Sequence, residues 1–432
     1  MRKLINKLFI LFKRVLQADI VRVFSLTAIS TLVKMLTGLV SVKVVATIIG
    51  PSGIALLGQL NNFSTIVMTL ASGGINSGIT KYVAEYKDFD DKVTRLLSTA
   101  LRVTVWCSLA VGLLMILLHR FLSILIMLSS EYGYVFIVFG FTILLYALNM
   151  MLTSILNGYK EFKKYVSVNI VGSFFGVLFT LGFVLMLGLR GALISAVTFQ
   201  SVMFFITLWM IHKLPWVSWN FFKQHIETDV LKKYFRYTVM TLVSAATVPV
   251  SQMLLRGYII SEISLIDAGW WEGMNRLSNM YLMIITSSFS VYYLPRLSEI
   301  QDKKELRYEI FKAYKVILPM LLVGFTFVYF LRFWIIQLLF TSDFLPMEQL
   351  FIWQLLGDFF KICSWLLAFL MIAKSMTRVF VVTEVLFSVI FVVVGLGLMQ
   401  INGIIGIVQA YVFNYILYTI CMFWIFRKII YV

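Results

Sequence analysis

Thr27, Thr31, Lys34, Thr37 and Ser41 succeed one another at steps of three and four residues inside an apolar stretch. On a helix those steps place all five on one face, with Lys34 close to mid-depth. A charge near the centre of a membrane span costs roughly 2.5–3.5 kcal/mol, so Lys34 calls for a wet interior or an anion. Lys43 falls on the opposite face and nearer the end of the stretch, where it can snorkel. A second stripe, Asn62, Thr65, Thr69, Ser72, Asn76 and Thr80, repeats the pattern. Its "ASGGINSG" run adds glycines for close helix approach or local unwinding.

A third stripe holds Glu272, Arg276, Asn279, Thr286 and Ser290, with Glu272 and Arg276 spaced to pair as i and i+4. Arg256 follows Pro249, which predicts a kink. Asp358 and Lys361 stand at i and i+3, a further internal pair, whereas Glu384 has no partner in its own helix. Within apolar segments, Lys34, Lys43, Arg256, Arg276 and Lys361 oppose Glu272, Asp358 and Glu384. Five cations against three carboxylates make an interior that attracts an anion. A lipid-linked diphosphate fits that balance, as do other anions. The 3 His and 3 Cys show no ligand spacing, so no metal, cofactor or catalytic group is expected.

The elements that carry these residues follow from composition. Of 432 residues, 61% are hydrophobic and 13% charged, and the mean hydropathy is +0.93. Such a chain belongs in a membrane. Twelve apolar spans between about residues 23 and 426 are each near the ~20 residues needed to cross, and none alternates as a barrel strand does. The expected fold is all-α, with two six-helix bundles around a central cavity. A basic amphipathic lead over 1–22 would lie on the anionic inner leaflet. The bundles are expected over 23–212 and 234–432, joined by a cytoplasmic linker over 213–233. Most of the 37 Lys and Arg fall on one side, and Arg120, Arg190 and Arg332 alone lie in the opposite loops. Both termini are therefore expected inside. This placement turns the net charge of +17 away from nucleic acid. The short outer loops leave no room for a polysaccharide ligase or polymerase domain.

Four runs, "STLVKMLTGLVSVKVVATIIGPSGIALLGQ", "GGINSGITKYVAEY", "TSSFSVYYLPRLSEI" and "FIWQLLGDFFKI", are familiar together. They resemble the Wzx-type flippases for undecaprenyl-diphosphate-linked oligosaccharides. That family serves O-antigen and enterobacterial common antigen. It lies in the polysaccharide transport branch of the multidrug/oligosaccharidyl-lipid/polysaccharide exporter superfamily. The resemblance implies alternating access in a bacterial inner membrane, with substrate passing from the cytoplasmic to the periplasmic leaflet. It carries onto Lys34, Lys43, Asn76, Lys81, Arg256, Asp358 and Lys361, with Lys34 and Arg256 clamping the diphosphate. Arg276 and Asn279 join the cavity, and Asn279 stands where an aspartate is expected. Glu272, Asp358, Lys361 and Glu384 are expected in ion coupling or structural pairs. Membrane lipids, an O-antigen polymerase and a chain-length regulator are the further partners expected. A drug or cation antiporter of the same superfamily is the alternative, but it needs carboxylates to dominate the cavity.

Overall fold

Continuous apolar runs leave the backbone no lipid partner, so each segment must satisfy its own N–H and C=O groups as a helix. The computed structural model describes residues 19–86, 90–217 and 228–430, and no strand occurs among them. The expected amphipathic lead lies outside the described residues as far as residue 18, as do residues 218–227 of the linker.

The first helix, α1 (Asp19–Ala71), is too long for one crossing: its 53 residues would reach ~80 Å if straight. Gly50, at φ 64° and ψ −172°, bends it sharply into two arms, and Pro51 opens the second without needing a donor. After a turn with left-handed Gly73 and Gly74 come α2 (Asn76–Tyr86), α3 (Asp90–Leu117), α4 (His119–Met127) and α5 (Gly133–Gly158). The span expected over 54–80 thus unwinds at its glycines before its end. Helix α6 (Phe162–Ile211) folds back at Gly188, so tightly that a Cβ on Gly191 would meet the Phe183 carbonyl oxygen at 1.9 Å.

The second half contains α7 (Thr228–Tyr258), α8 (Leu265–Ser288), α9 (Leu294–Glu299), α10 (Lys303–Phe330) and α11 (Arg332–Leu339). Helices α12 (Phe351–Ala373), α13 (Thr377–Asn402), α14 (Ile404–Ile425) and α15 (Arg427–Ile430) complete it. Among the described residues eight helices are long and apolar enough to cross a membrane, and the bends of α1 and α6 give each of those two a pair of crossings. Charged α7 and α8 bring the crossings to twelve. In order these are the two arms of α1, α3, α5, the two arms of α6, α7, α8, α10, α12, α13 and α14.

Three apolar cores organise them. The largest joins Ile54, Leu60 and Phe136 of the first half to Leu255, Trp271, Phe344 and Phe351 of the second. Its second-half members cluster beside the turns that lie at the Gly50 end. At the other end the halves keep separate cores. One is built on Leu297, Leu366 and Met422, the other on Ile79, Leu96 and Ile155. The start of α7 crosses the divide. Tyr234 is buried in the first-half core, and Thr238 Oγ1 donates to the Gly73 carbonyl at 2.7 Å. The molecule is two lobes fused at one end and splayed at the other, with α7 as a strap.

At the fused end a methyl on Gly269 would lie 2.1 Å from the Pro51 carbonyl oxygen. Gly269→Ala should therefore wedge the lobes apart and lower the melting temperature of the solubilised protein, because overpacking costs ~1–3 kcal/mol. Gly182→Ala, with no atom within 4 Å, should melt like the parent. Equal melting of the two variants would show that this contact does not hold the lobes.

Candidate functional site

The first arm of α1 is two-faced. Ile29, Leu32, Leu36 and Val40 are exposed along one side, as suits contact with lipid, and Lys34 projects from the opposite side. Lys34 has no ion-pair or hydrogen-bond partner for its ammonium among the described residues. It reaches a cavity of about 190 Å³ whose polar lining comes from Asn149 and Thr153 of α5, Asn169 and Ser173 of the first arm of α6, and Gln200 of the second. Stripe hydroxyls bond back to their own helices: Thr37 Oγ1 donates to the Val33 carbonyl at 2.7 Å, and Thr65 and Thr69 do likewise at 2.9 Å. Their lone pairs stay free, so the stripes are wettable without unmet donors. Asn76 opens α2 with its Oδ1 buried and unbonded.

The structure corrects the expected position of Arg256. Its side chain has no accessible surface. Its Nη2 donates to Glu272 Oε2 at 2.5 Å and its Nη1 to Gln59 Oε1 at 3.2 Å, while the guanidinium sits 5.2 Å from the Trp271 ring centroid. Glu272 also takes Arg276 Nε at 3.0 Å, so the i, i+4 pair is present within a larger hub. Gln59 comes from the second arm of α1 and Arg256 from α7, so the hub bridges the lobes. Gly58 is where it must be small: a Cβ there would stand 2.5 Å from the Glu272 carboxyl carbon. A guanidinium so enclosed is unavailable to a diphosphate in this conformation. Arg276 keeps 19% of its side-chain surface and Asn279 is exposed, both on the same α8 face.

The expected Asp358–Lys361 ion pair is not formed. The Asp358 carboxylate is filled by Ser278 Oγ at 2.7 Å, Tyr411 Oη at 2.8 Å, Tyr281 Oη and Gln354 Nε2. Lys361 turns instead to the rings of Trp365, Tyr411 and Tyr415, 5.0–5.6 Å from their centroids. With Glu384 it faces a second cavity, of about 100 Å³, that also takes in Gln252 and Asn414. Lys43 does not snorkel to water. Its Nζ donates to the Phe340 carbonyl at 2.5 Å and the Gln337 carbonyl at 2.9 Å, capping the carboxyl end of α11 from the other lobe.

Sequence reasoning missed Asn149, Asn169 and Gln200. Each is a single amide in an apolar span, and only the packing of crossings one, four, five and six brings them together. The second cavity is lined by crossings seven, ten, eleven and twelve, the corresponding members of the second half. Their shared position supplies the repeat that residue identity does not show.

With this geometry in place, the chain matches the family described as polysaccharide biosynthesis protein over residues 20–301. It is 30% identical over 397 residues to the lipid III flippase of Escherichia coli (strain K12), covering 91% of this chain and 94% of that one. The Shigella flexneri lipid III flippase matches equally. Among solved structures, an inward-facing MATE family transporter of the MOP superfamily aligns with a TM-score of 0.76 at 14% identity, over 92% of this chain and 95% of that chain. The lipid II flippase MurJ aligns with a TM-score of 0.72 at 16% identity, over 94% and 87%. Those two likenesses establish the fold, two helical lobes.

Removing one member of a buried ion pair strands the other at ~3–5 kcal/mol, whereas removing both is far milder. Glu272→Met, which strands the enclosed Arg256, should lower folded protein in the membrane, read by immunoblot and melting temperature. Arg256→Met should do so less, because Arg276 still pairs with Glu272. The double variant should recover most of it. Single variants as abundant and as stable as the parent would dissolve the hub's structural role.

Proposed function

The chain belongs to the polysaccharide biosynthesis protein family, and from that membership we propose that it lies in the polysaccharide transport branch of the exporter superfamily and is a flippase for lipid-linked oligosaccharides. It is a multi-pass membrane transporter, not an enzyme. The substrate we infer is an O-antigen-type repeat unit on undecaprenyl diphosphate, moved from the cytoplasmic to the periplasmic leaflet of a bacterial inner membrane. Handing the unit to a polymerase and its chain-length regulator is the onward step we propose.

Lys34 carries this reading. It is a cation on the polar face of a helix whose other face meets lipid, and no carboxylate among the described residues neutralises it. A lipid-linked diphosphate can keep its polyprenyl tail outside that helix while its phosphates turn inward to the ammonium. Arg276, Asn279 and Asn76 are the further residues we propose for the polar path between the lobes. We take residues 23–212 and 234–432 as the lobes and 213–233 as their linker. Lys160, Lys163, Lys164, Lys303 and Lys304 lie at the splayed end, which supports a cytoplasmic opening and termini, with Gly50 periplasmic. An inside-negative potential then drives a net anion outward by ~2.3 kcal/mol per charge per 100 mV.

The cation-antiporter reading is weakened by the carboxylates themselves. Glu272 and Asp358 are occupied by bonded partners, which suits structural roles. Glu384 and Lys361, facing their own cavity, are the pair we propose for any ion coupling.

Lys34→Ala should abolish surface glycan in a flippase-null strain at unchanged protein level, because losing a mid-span charge eases insertion. Lys34→Arg should retain part of it. Wild-type glycan from a well-expressed Lys34→Ala protein would remove the cation from the mechanism. Single cysteines at Ser52 and Ser129 should react with an impermeant thiol reagent from outside, and cysteines at Lys160 and Lys304 should not. The reverse labelling would invert the orientation.

A further inference from the structure

The cavity beside Lys34 holds an unmet hydrogen-bonding group that the transport reading does not use. Asn149 is 4% exposed, and its Nδ2 donates to Gln200 Oε1 at 2.8 Å. Its Oδ1 is buried with no partner. Buried polar atoms are so regularly paired that an orphan lining a cavity asks for a ligand or water. Gln200 spends its oxygen on Asn149, and its Nε2 is left open. Whichever way the two amides are turned, one acceptor and one donor remain side by side.

We propose that this cavity is the subsite for the sugar joined to the diphosphate, and that the Asn149–Gln200 pair reads that sugar. Adjacent pyranose substituents, two hydroxyls or a hydroxyl and an N-acyl N–H, offer the complementary donor and acceptor. Asn169 gives its amide hydrogen to the Tyr165 carbonyl at 2.8 Å, which leaves Oδ1 as another acceptor. Thr153 adds a hydroxyl, and Phe199 adds a ring for the sugar's apolar face. Beyond Lys34 the lining carries no charge, which selects a neutral ring. Lys34 shares the cavity, so phosphate and first sugar would be gripped by adjoining groups. The corresponding cavity of the second half also has amides, Gln252 and Asn414, but sets them among Lys361, Glu384 and aromatic rings, so the lining without a carboxylate belongs to the first-half cavity.

The subsite rests on the flippase reading, and binding to purified full-length protein separates the two. The probes are undecaprenyl diphosphate, bare and carrying one N-acetylglucosamine or one glucose. The wild type should bind at least one glycosylated lipid about tenfold more tightly than the bare one. Asn149→Leu and Gln200→Leu should erase that gain, keep the affinity for bare lipid and melt near the parent. Lys34→Ala should weaken all three lipids. Equal binding of bare and glycosylated lipids by the wild type would overturn the subsite alone. So would leucine variants that keep the gain, or that weaken all lipids alike. Failure of the wild type to bind any of the three would overturn the flippase reading itself.

Discussion

The architecture turns on one buried ion pair, Arg256 with Glu272. Each charge forfeits its hydration, and the return depends on how completely its other hydrogen-bonding positions are filled. Gln59 takes one further guanidinium hydrogen and the Trp271 ring lies against its plane, while Arg276 occupies the other carboxylate oxygen. Arg256 Nε stays buried and unpaired, and a glycine at 58 lets the carboxyl come close. Such pairs contribute little net stability, because desolvation nearly cancels attraction. For a contact between two lobes that must part, that near-cancellation is useful. The closed end is specific in its geometry, yet water entering between the lobes rehydrates the same groups and lowers the cost of separation. Around it, the close approach of Pro51 and Gly269 and the hydrogen bonds from Lys43 to the end of α11 join the same two lobes.

Against this fused end, the two lobes behave as versions of one plan. Each forms a cavity from its first, fourth, fifth and sixth crossings, and each places a lysine in it. The chemistry has diverged. The first lobe lines its cavity with amides, and Lys34 has no counter-ion there among the described residues. The second surrounds Lys361 with rings and sets Glu384 nearby. A substrate moving between the lobes would meet a polar, sugar-compatible wall on one side. On the other it would meet a charged wall, formed by Lys361 and Glu384.

Much of this was legible in the residues. Apolar length gave the crossings, and helical steps gave the polar face of Lys34, because both are properties of a single helix. The unwinding at Gly73 and Gly74 was readable from the glycine run. What could not be read were facts about which helices meet. Arg256 and Glu272 lie in different helices, and Gln59 is in the other half of the chain, so no periodicity links them. Asp358 and Lys361 have the spacing of a pair, but the hydroxyls of Ser278, Tyr281 and Tyr411 reach the carboxylate from neighbouring helices. Lys43 looked like a snorkelling lysine because the α11 carbonyls it caps come from almost three hundred residues away. Asn149 and Gln200 are isolated amides in apolar spans, with no stripe to mark them.

The hub also constrains how the chain is built. Helix α7 precedes α8 in the chain, so Arg256 reaches the membrane ahead of its carboxylate, 16 residues on. Helix α8 arrives already carrying an anion and a cation one turn apart. The two helices therefore suit insertion as a single hairpin, with the translocon sheltering Arg256 until its counter-charge emerges. Gln59 is made long before and has meanwhile an acceptor of its own, the Ile126 carbonyl at 3.3 Å. Biogenesis thus prepares a neutral dock in the first lobe and delivers a prepaired charge to it.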